Sequence, residues 1–147
     1  MNSDELRLYE SPAIIKHIEI LQSIISRMSS NSAACKTLTL TLISALIALS
    51  LGYNCFPVWI CLIPAVLMYI LDSFYLGLEK QFIVQQRILI SKIASGTIQH
   101  TDIFVIKSNS SFAYHVGNIV KGLKSFSTTF FYTPLMLLIL FLWITVV

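Results

Sequence analysis

Two long uncharged stretches organise this chain. From Thr37 to Leu71 there are 35 residues without a formal charge, and from Ser125 to Val147 there are 23 more. A helix crosses the hydrocarbon of a bilayer in about 20 residues. The first stretch therefore predicts two short spans and the second predicts one. "GYNCFP" supplies the turn between the first two, with Gly52 and Asn54 ahead of Pro57. The spans fall at about 35–52, 57–78 and 126–147.

The segments around these spans carry helical patterns of their own. Residues 1–10 read as a flexible tail. Ser11 and Pro12 then suit the N-cap and first turn of a helix. Ile14, Ile18, Leu21, Ile25 and Met28 recur at spacings of 4, 3, 4 and 3, an apolar stripe with Lys16, Glu19, Gln22, Ser23 and Ser26 off it. Such a stripe packs on its own protein in the plainest reading; a membrane-surface helix or an oligomer seam are the alternatives. Nothing in "SSNSAACK" stops a helix, so the first helix is expected to run on into the membrane, with any bend falling here. The second span is likewise expected to continue as a helix through "LEKQFIVQQRILISKIAS" to a stop at Gly96. Residues 97–124 lose the helical period: "IFVI" reads as a short strand, and "SNSS" and "GN" as turns. The expected fold is an all-α integral membrane protein. It comprises an amphipathic helix continuing into a transmembrane hairpin over 11–95, an irregular or β-like insert over 96–124, and a third span over 125–147.

Composition agrees with a membrane chain. Hydrophobic residues make up 56% and charged residues 12% of the sequence, against about 25% charged in soluble domains. Mean hydropathy is +0.78. The first apolar run begins only after some 35 residues, too late for a cleavable signal peptide. Charge sets the orientation. Arg7, Lys16, Arg27 and Lys36 precede the first span, and Lys80, Arg87, Lys92, Lys107, Lys121 and Lys124 lie between the second and third. The positive-inside rule places the N-terminus and the 79–124 region in the bacterial cytoplasm and the C-terminus on the periplasmic side of the inner membrane. Tyr53, Phe56, Trp59 and Trp143 suit the outer aromatic belt, and Tyr75 and Phe82 the inner one.

Asp72 stands inside the almost entirely apolar "CLIPAVLMYILDSFYLGLEK", and a carboxylate there is near a water boundary, partnered or functional. With the turn centred near Cys55, Lys36 lies 19 residues before it and Asp72 lies 17 after. At about 1.5 Å per residue the two reach nearly the same depth. The same arithmetic sets Asn31 level with Glu79, with Arg27 about one turn further out. These five residues are the candidate inter-helix polar clasp. A second candidate is a packing seam of small residues, Thr37, Thr41, Ser44, Ala48 and Gly52, at spacings that let membrane helices approach closely. The clasp reads first as a charge pair that fixes register and second as part of an ion path; its place near the boundary favours the former.

Catalytic, cofactor-binding and metal-binding residues are not indicated, so an enzyme is not expected. Cys35, Cys55 and Cys61 lack metal spacing and suit helix packing. His17, His100 and His115 stand beside no placed nucleophile. Residues 80–124 carry six basic residues and one acid, Asp102. Without an arginine-rich or aromatic-interleaved motif this fits anionic lipid headgroups better than direct nucleic-acid binding.

The stretches "IEILQSIISRMSSNSAACKTLTLTLISALIAL" and "LIPAVLMYILDSFYLGLEKQF" resemble a family of small bacterial multi-span membrane proteins, through Arg27, Met28, Asn31, Ser32, Lys36, Leu71, Asp72, Phe74, Tyr75, Glu79, Lys80 and Phe82. The likeness covers about residues 18–90. It is similar to transmembrane effectors of anti-phage systems such as retrons. The resemblance implies a toxic effector of antiviral defence, restrained by a cytoplasmic sensor complex such as a reverse transcriptase with its RNA; the mechanism expected for it is homo-oligomerisation through the small-residue seam. Release would permeabilise the inner membrane and arrest the infected cell, an abortive infection. A non-toxic membrane scaffold for a cytoplasmic enzyme and a small channel or transporter subunit are the rival expectations.

Overall fold

The computed structural model of the chain describes residues 11–53, 56–98, 102, 117, 119, 122, 123 and 125–146. Three helices dominate them: α1 over Pro12–Tyr53, α2 over Leu62–Ala94 and α3 over Phe126–Val146. A 3-10 turn over Val58–Cys61 leads into α2. All three helices are long and apolar enough to cross a membrane, so the fold is an all-α membrane fold. Of the expected insert over 96–124, the β-like "IFVI" lies outside the described residues, while Gly117, Ile119, Gly122 and Leu123 are helical, where the sequence reads as a turn at "GN" and an irregular insert.

Local chemistry explains the boundaries. Pro12 opens α1, and the Ser11 carbonyl accepts from the Ile14 and Ile15 amides at 3.0 and 3.1 Å. The helix then passes through "SSNSAACK" unbroken for 42 residues. After Gly52 and Tyr53 the chain reaches Pro57, whose backbone is extended and which cannot continue a helix. Ser50 Oγ donates to the Phe56 carbonyl at 2.7 Å and ties this turn to the end of α1. At the far end, α2 stops at Gly96 with φ of 66°. The Gly96 amide donates to Ile93 O and the Thr97 amide to Lys92 O, each at 3.0 Å, which satisfies carbonyls of the last turn in a Schellman arrangement.

Length divides the molecule. At about 1.5 Å per residue α1 measures about 63 Å and α2 about 50 Å, whereas the hydrocarbon core is only about 30 Å thick. The ends of α1 and α2 remote from the "GYNCFP" turn therefore stand outside the bilayer as a paired stalk. At 21 residues, α3 is about the length of one crossing.

The interior has three tiers. Near the turn, Ile43, Val58, Cys61, Ala65 and Ile139 form an apolar core from α1, the 3-10 turn, α2 and α3. In the stalk, Ile14 and Leu21 pack on Leu89 and Ile93, with Ile18, Phe82 and Ile98 against them. The N-terminal stripe thus packs within the chain. Between these tiers lies a polar layer. Leu38, Leu42, Leu67, Ile70, Leu137 and Phe141 point outward, as lipid-facing residues do.

Candidate functional site

The polar layer is built around Asp72, which is fully buried. Its position on α2 faces the side of α1 that carries Ser32, Lys36 and Thr39. Lys36 Nζ lies 2.8 Å from Asp72 Oδ2. Ser32 Oγ donates a short hydrogen bond to Asp72 Oδ1, and Lys36 Nζ donates to Ser32 Oγ at 2.9 Å. The carboxylate is thus held on both oxygens, one by a hydroxyl and one by the ammonium. The Oδ2 contact is an ion pair without a directed hydrogen bond. Lys36 retains some exposure, which suits a long side chain whose charge sits at the membrane boundary.

α3 closes this layer from the other side. Tyr132 is buried, its hydroxyl 3.4 Å from both Thr39 Oγ1 and the Met68 carbonyl. Its ring lies 5.1 Å from that of Tyr69, whose own hydroxyl donates to Leu123 O at 3.2 Å. Thr128, fully buried, donates to Gly122 O at 2.8 Å. Gly122 itself abuts the backbone of Ser73. The start of α3 is therefore pinned to α2 one residue from the buried acid.

The expected clasp is placed as follows. Lys36 and Asp72 meet. Asn31 and Glu79 are half-buried and Arg27 is exposed. Among the described residues, no hydrogen bond or ion pair joins these three to the Asp72 pair, although Glu79 lies within Coulombic reach of Lys36 and Lys80. Ser32, not Asn31, is the second partner of the carboxylate, because it stands one turn before Lys36 on the same face. The expected seam requires a correction. Thr37, Thr41, Ser44, Ala48 and Gly52 are all exposed. The buried side of α1 carries Ser32, Cys35, Thr39, Ile43 and Ser50 instead. The physical reason is rotational: at 3.6 residues per turn the two sets lie on roughly opposite sides of α1. The hydroxyls of Thr37, Thr41 and Ser44 bond instead to carbonyls of their own helix, Ala33 O, Thr37 O and Leu40 O. Cys35 and Cys61 are buried free thiols in packing positions; Cys55, His100 and His115 lie outside the described residues.

Two consequences follow for chemistry. The Asp72 carboxylate, held by Ser32 and Lys36, ties α2 to α1 at one height along both helices. Among the described residues, the interior between it and the turn is occupied by the apolar Ile43, Val58, Cys61, Ala65 and Ile139. Comparison with family models, with curated proteins and with solved structures returned no match.

Proposed function

We propose that this protein is a membrane-permeabilising effector of bacterial anti-phage defence. A cytoplasmic partner restrains it, and copies assemble in the inner membrane when it is released. The observation that carries this reading is the outward stripe of Thr37, Thr41, Ser44, Ala48 and Gly52, exposed along the membrane part of α1. Small side chains on a lipid-facing surface let another helix approach closely. Because an apolar core closes the interior of one copy, a leak has to run between copies. The same core speaks against a channel through a single chain. The defence setting is supported by the resemblance carried by Arg27, Lys36, Asp72 and Glu79 and their neighbours.

The stalk favours a second reading, a non-toxic scaffold subunit. Residues 12–34 of α1 and 79–94 of α2 project beyond the spans, enough for a soluble enzyme to dock on. Expression in a bacterial host without other components of the system separates the two. A voltage-sensitive dye should report loss of membrane potential, and growth should stop. Unchanged potential and growth, with abundant protein in the membrane fraction, would leave the scaffold as the function.

A further inference from the structure

The outward side of α1 continues beyond the membrane. Ser26, Ser30 and Ala33, all exposed, lie on the same side of the helix as Thr37, Thr41 and Ser44. Each residue advances about 100° around a helix, which puts Arg27 about 60° to one side of that stripe. On the other side an open groove of about 520 Å³ runs between α1 and α2, roomy enough to admit whole side chains. Gln22, Ser26, Ser30 and Ala33 line it from α1, and Glu79 and Gln86 from α2. Among the described residues Glu79 is the one charged side chain in this lining, and it is half-buried. Arg27 is exposed and faces away from the groove of its own copy. Among the described residues neither Arg27 nor Glu79 forms an ion pair. Lys36 and Lys80 act on Glu79 only at longer range.

We propose, on the reading that copies assemble through the outward stripe, that this groove receives a second copy of the chain, with Arg27 of one copy seated against Glu79 of the next. The membrane fixes height. Copies of one protein share an orientation in the bilayer, so their symmetry axis stands along the membrane normal and equal heights meet. Counted from the turn near Cys55, Arg27 lies 28 residues out and Glu79 lies 24 residues out. Four residues of helix are about 6 Å, within the reach of an arginine side chain. The helix fixes rotation. When parallel helices pack around such an axis, in a pair or in a ring, one flank of each contact stripe meets the opposite flank of its neighbour. Arg27 occupies one flank and the Glu79 groove the other, so the two converge between copies although they diverge within one. Charge then selects the occupant. A guanidinium offers five donors in a fork that matches a carboxylate, and the serine hydroxyls and glutamine amides beside Glu79 accept what the carboxylate leaves. An anionic lipid headgroup would meet Glu79 as a like charge.

The test is self-association of the full chain in lipid vesicles, read by energy transfer between two labelled populations. The parent should associate. Arg27→Glu and Glu79→Arg should each weaken association roughly tenfold. An equimolar mixture of these two single variants should associate like the parent, because every contact between unlike copies then pairs opposite charges. An ion pair inside one copy would not be restored by mixing. Should Glu79→Arg fail to fold beside Lys36 and Lys80, Arg27→Gln, Glu79→Gln and their combination replace it: the double variant should associate no more weakly than either single one. Charge variants that associate like the parent, a mixture as weak as its components, or additive losses in the glutamine set overturn the proposal. Where Ser44→Leu with Ala48→Leu still abolishes association in that event, the assembly reading stands and only the contact of Arg27 with Glu79 falls. A parent that stays monomeric overturns both and leaves the groove to another protein.

Discussion

Gly122 and the Ser73 carbonyl are in such close contact that a Cβ built on the glycine would lie 1.9 Å from Ser73 O and 2.7 Å from Ser73 C. The obstacle is backbone inside α2, one residue after Asp72, so it has little room to give. This contact lets the chain entering α3 lie against α2, where Thr128 and Ser125 then bond to Gly122 O.

Gly122→Ala should therefore expel this segment from α2. Overpacking of this kind costs about 1–3 kcal/mol, and more where backbone must move. Unfolding of the purified protein in mixed micelles should show the loss. Gly52→Ala, where nothing lies within 4 Å of the new methyl, should be neutral in the same assay. Equal behaviour of the two variants would remove the argument.

The Asp72–Lys36 pair makes a prediction of opposite character. Asp72→Ala leaves the Lys36 ammonium facing a buried layer and should cost about 3–5 kcal/mol. Asp72→Ala combined with Lys36→Ala removes both charges and should recover part of that loss. Ser32→Ala deprives Asp72 Oδ1 of its donor and should cost about 1–3 kcal/mol. A double-mutant cycle on Asp72 and Lys36 that gives additive effects would show the pair to be uncoupled.

The pairing of Lys36 with Asp72 was legible because depth in a helical hairpin follows from residue count alone. The three apolar helices and the stop at Gly96 were legible for similar reasons: run length, and the αL position that glycine takes after a helix. Rotation about the helix axis is a separate quantity. A stripe of small residues is a packing signal without a stated partner, and α1 carries two of them, Ser32–Cys35–Thr39 and Thr37–Thr41–Ser44. The ion pair could have decided between them, since a Lys36 that faces Asp72 turns Thr39 and Ile43 inward and Thr41 and Ser44 outward. Tyr132 and Gly122 left no such signal. Their roles depend on where α3 docks, and neither periodicity nor charge fixes the docking of a uniformly apolar helix.

The stalk should respond to pH through His17. Burial lowers its pKa from the ordinary 6.5, so the unfolded state binds the proton more readily. The stability this neutral histidine contributes is fully present above pH 6.5 and is lost as pH falls from there toward the lower folded-state value. Across a cavity between α1 and α2 it meets Lys92 and Asp102, which pair with each other, while Lys16 and Glu19 pair at the surface beside it. Amide exchange over residues 14–21 and 85–93, corrected for intrinsic rates, should show weaker protection at about pH 5.5 than at about 7.5. His17→Phe should flatten that difference. Protection that rises toward acid in the parent would reverse the sign and refute the assignment.

The outward stripe yields the prediction that bears most on function. Ser44 and Ala48 are exposed, so Ser44→Leu with Ala48→Leu adds apolar surface on the outward side of α1. Insertion and the fold of one copy should therefore survive. Close approach of a second helix should not, because the added isobutyl groups hold the backbones apart. The variant should reach the membrane fraction at parental abundance and resist unfolding as the parent does. Yet it should show less cross-linking between copies and less depolarisation of the host. Val66→Leu, an equally exposed change on α2, should leave both readouts unaltered. A toxic parent with an equally toxic Ser44→Leu, Ala48→Leu variant would retain the effector and move its assembly surface elsewhere. A variant that loses toxicity together with membrane abundance would place Ser44 and Ala48 in the fold of one copy, against their exposure.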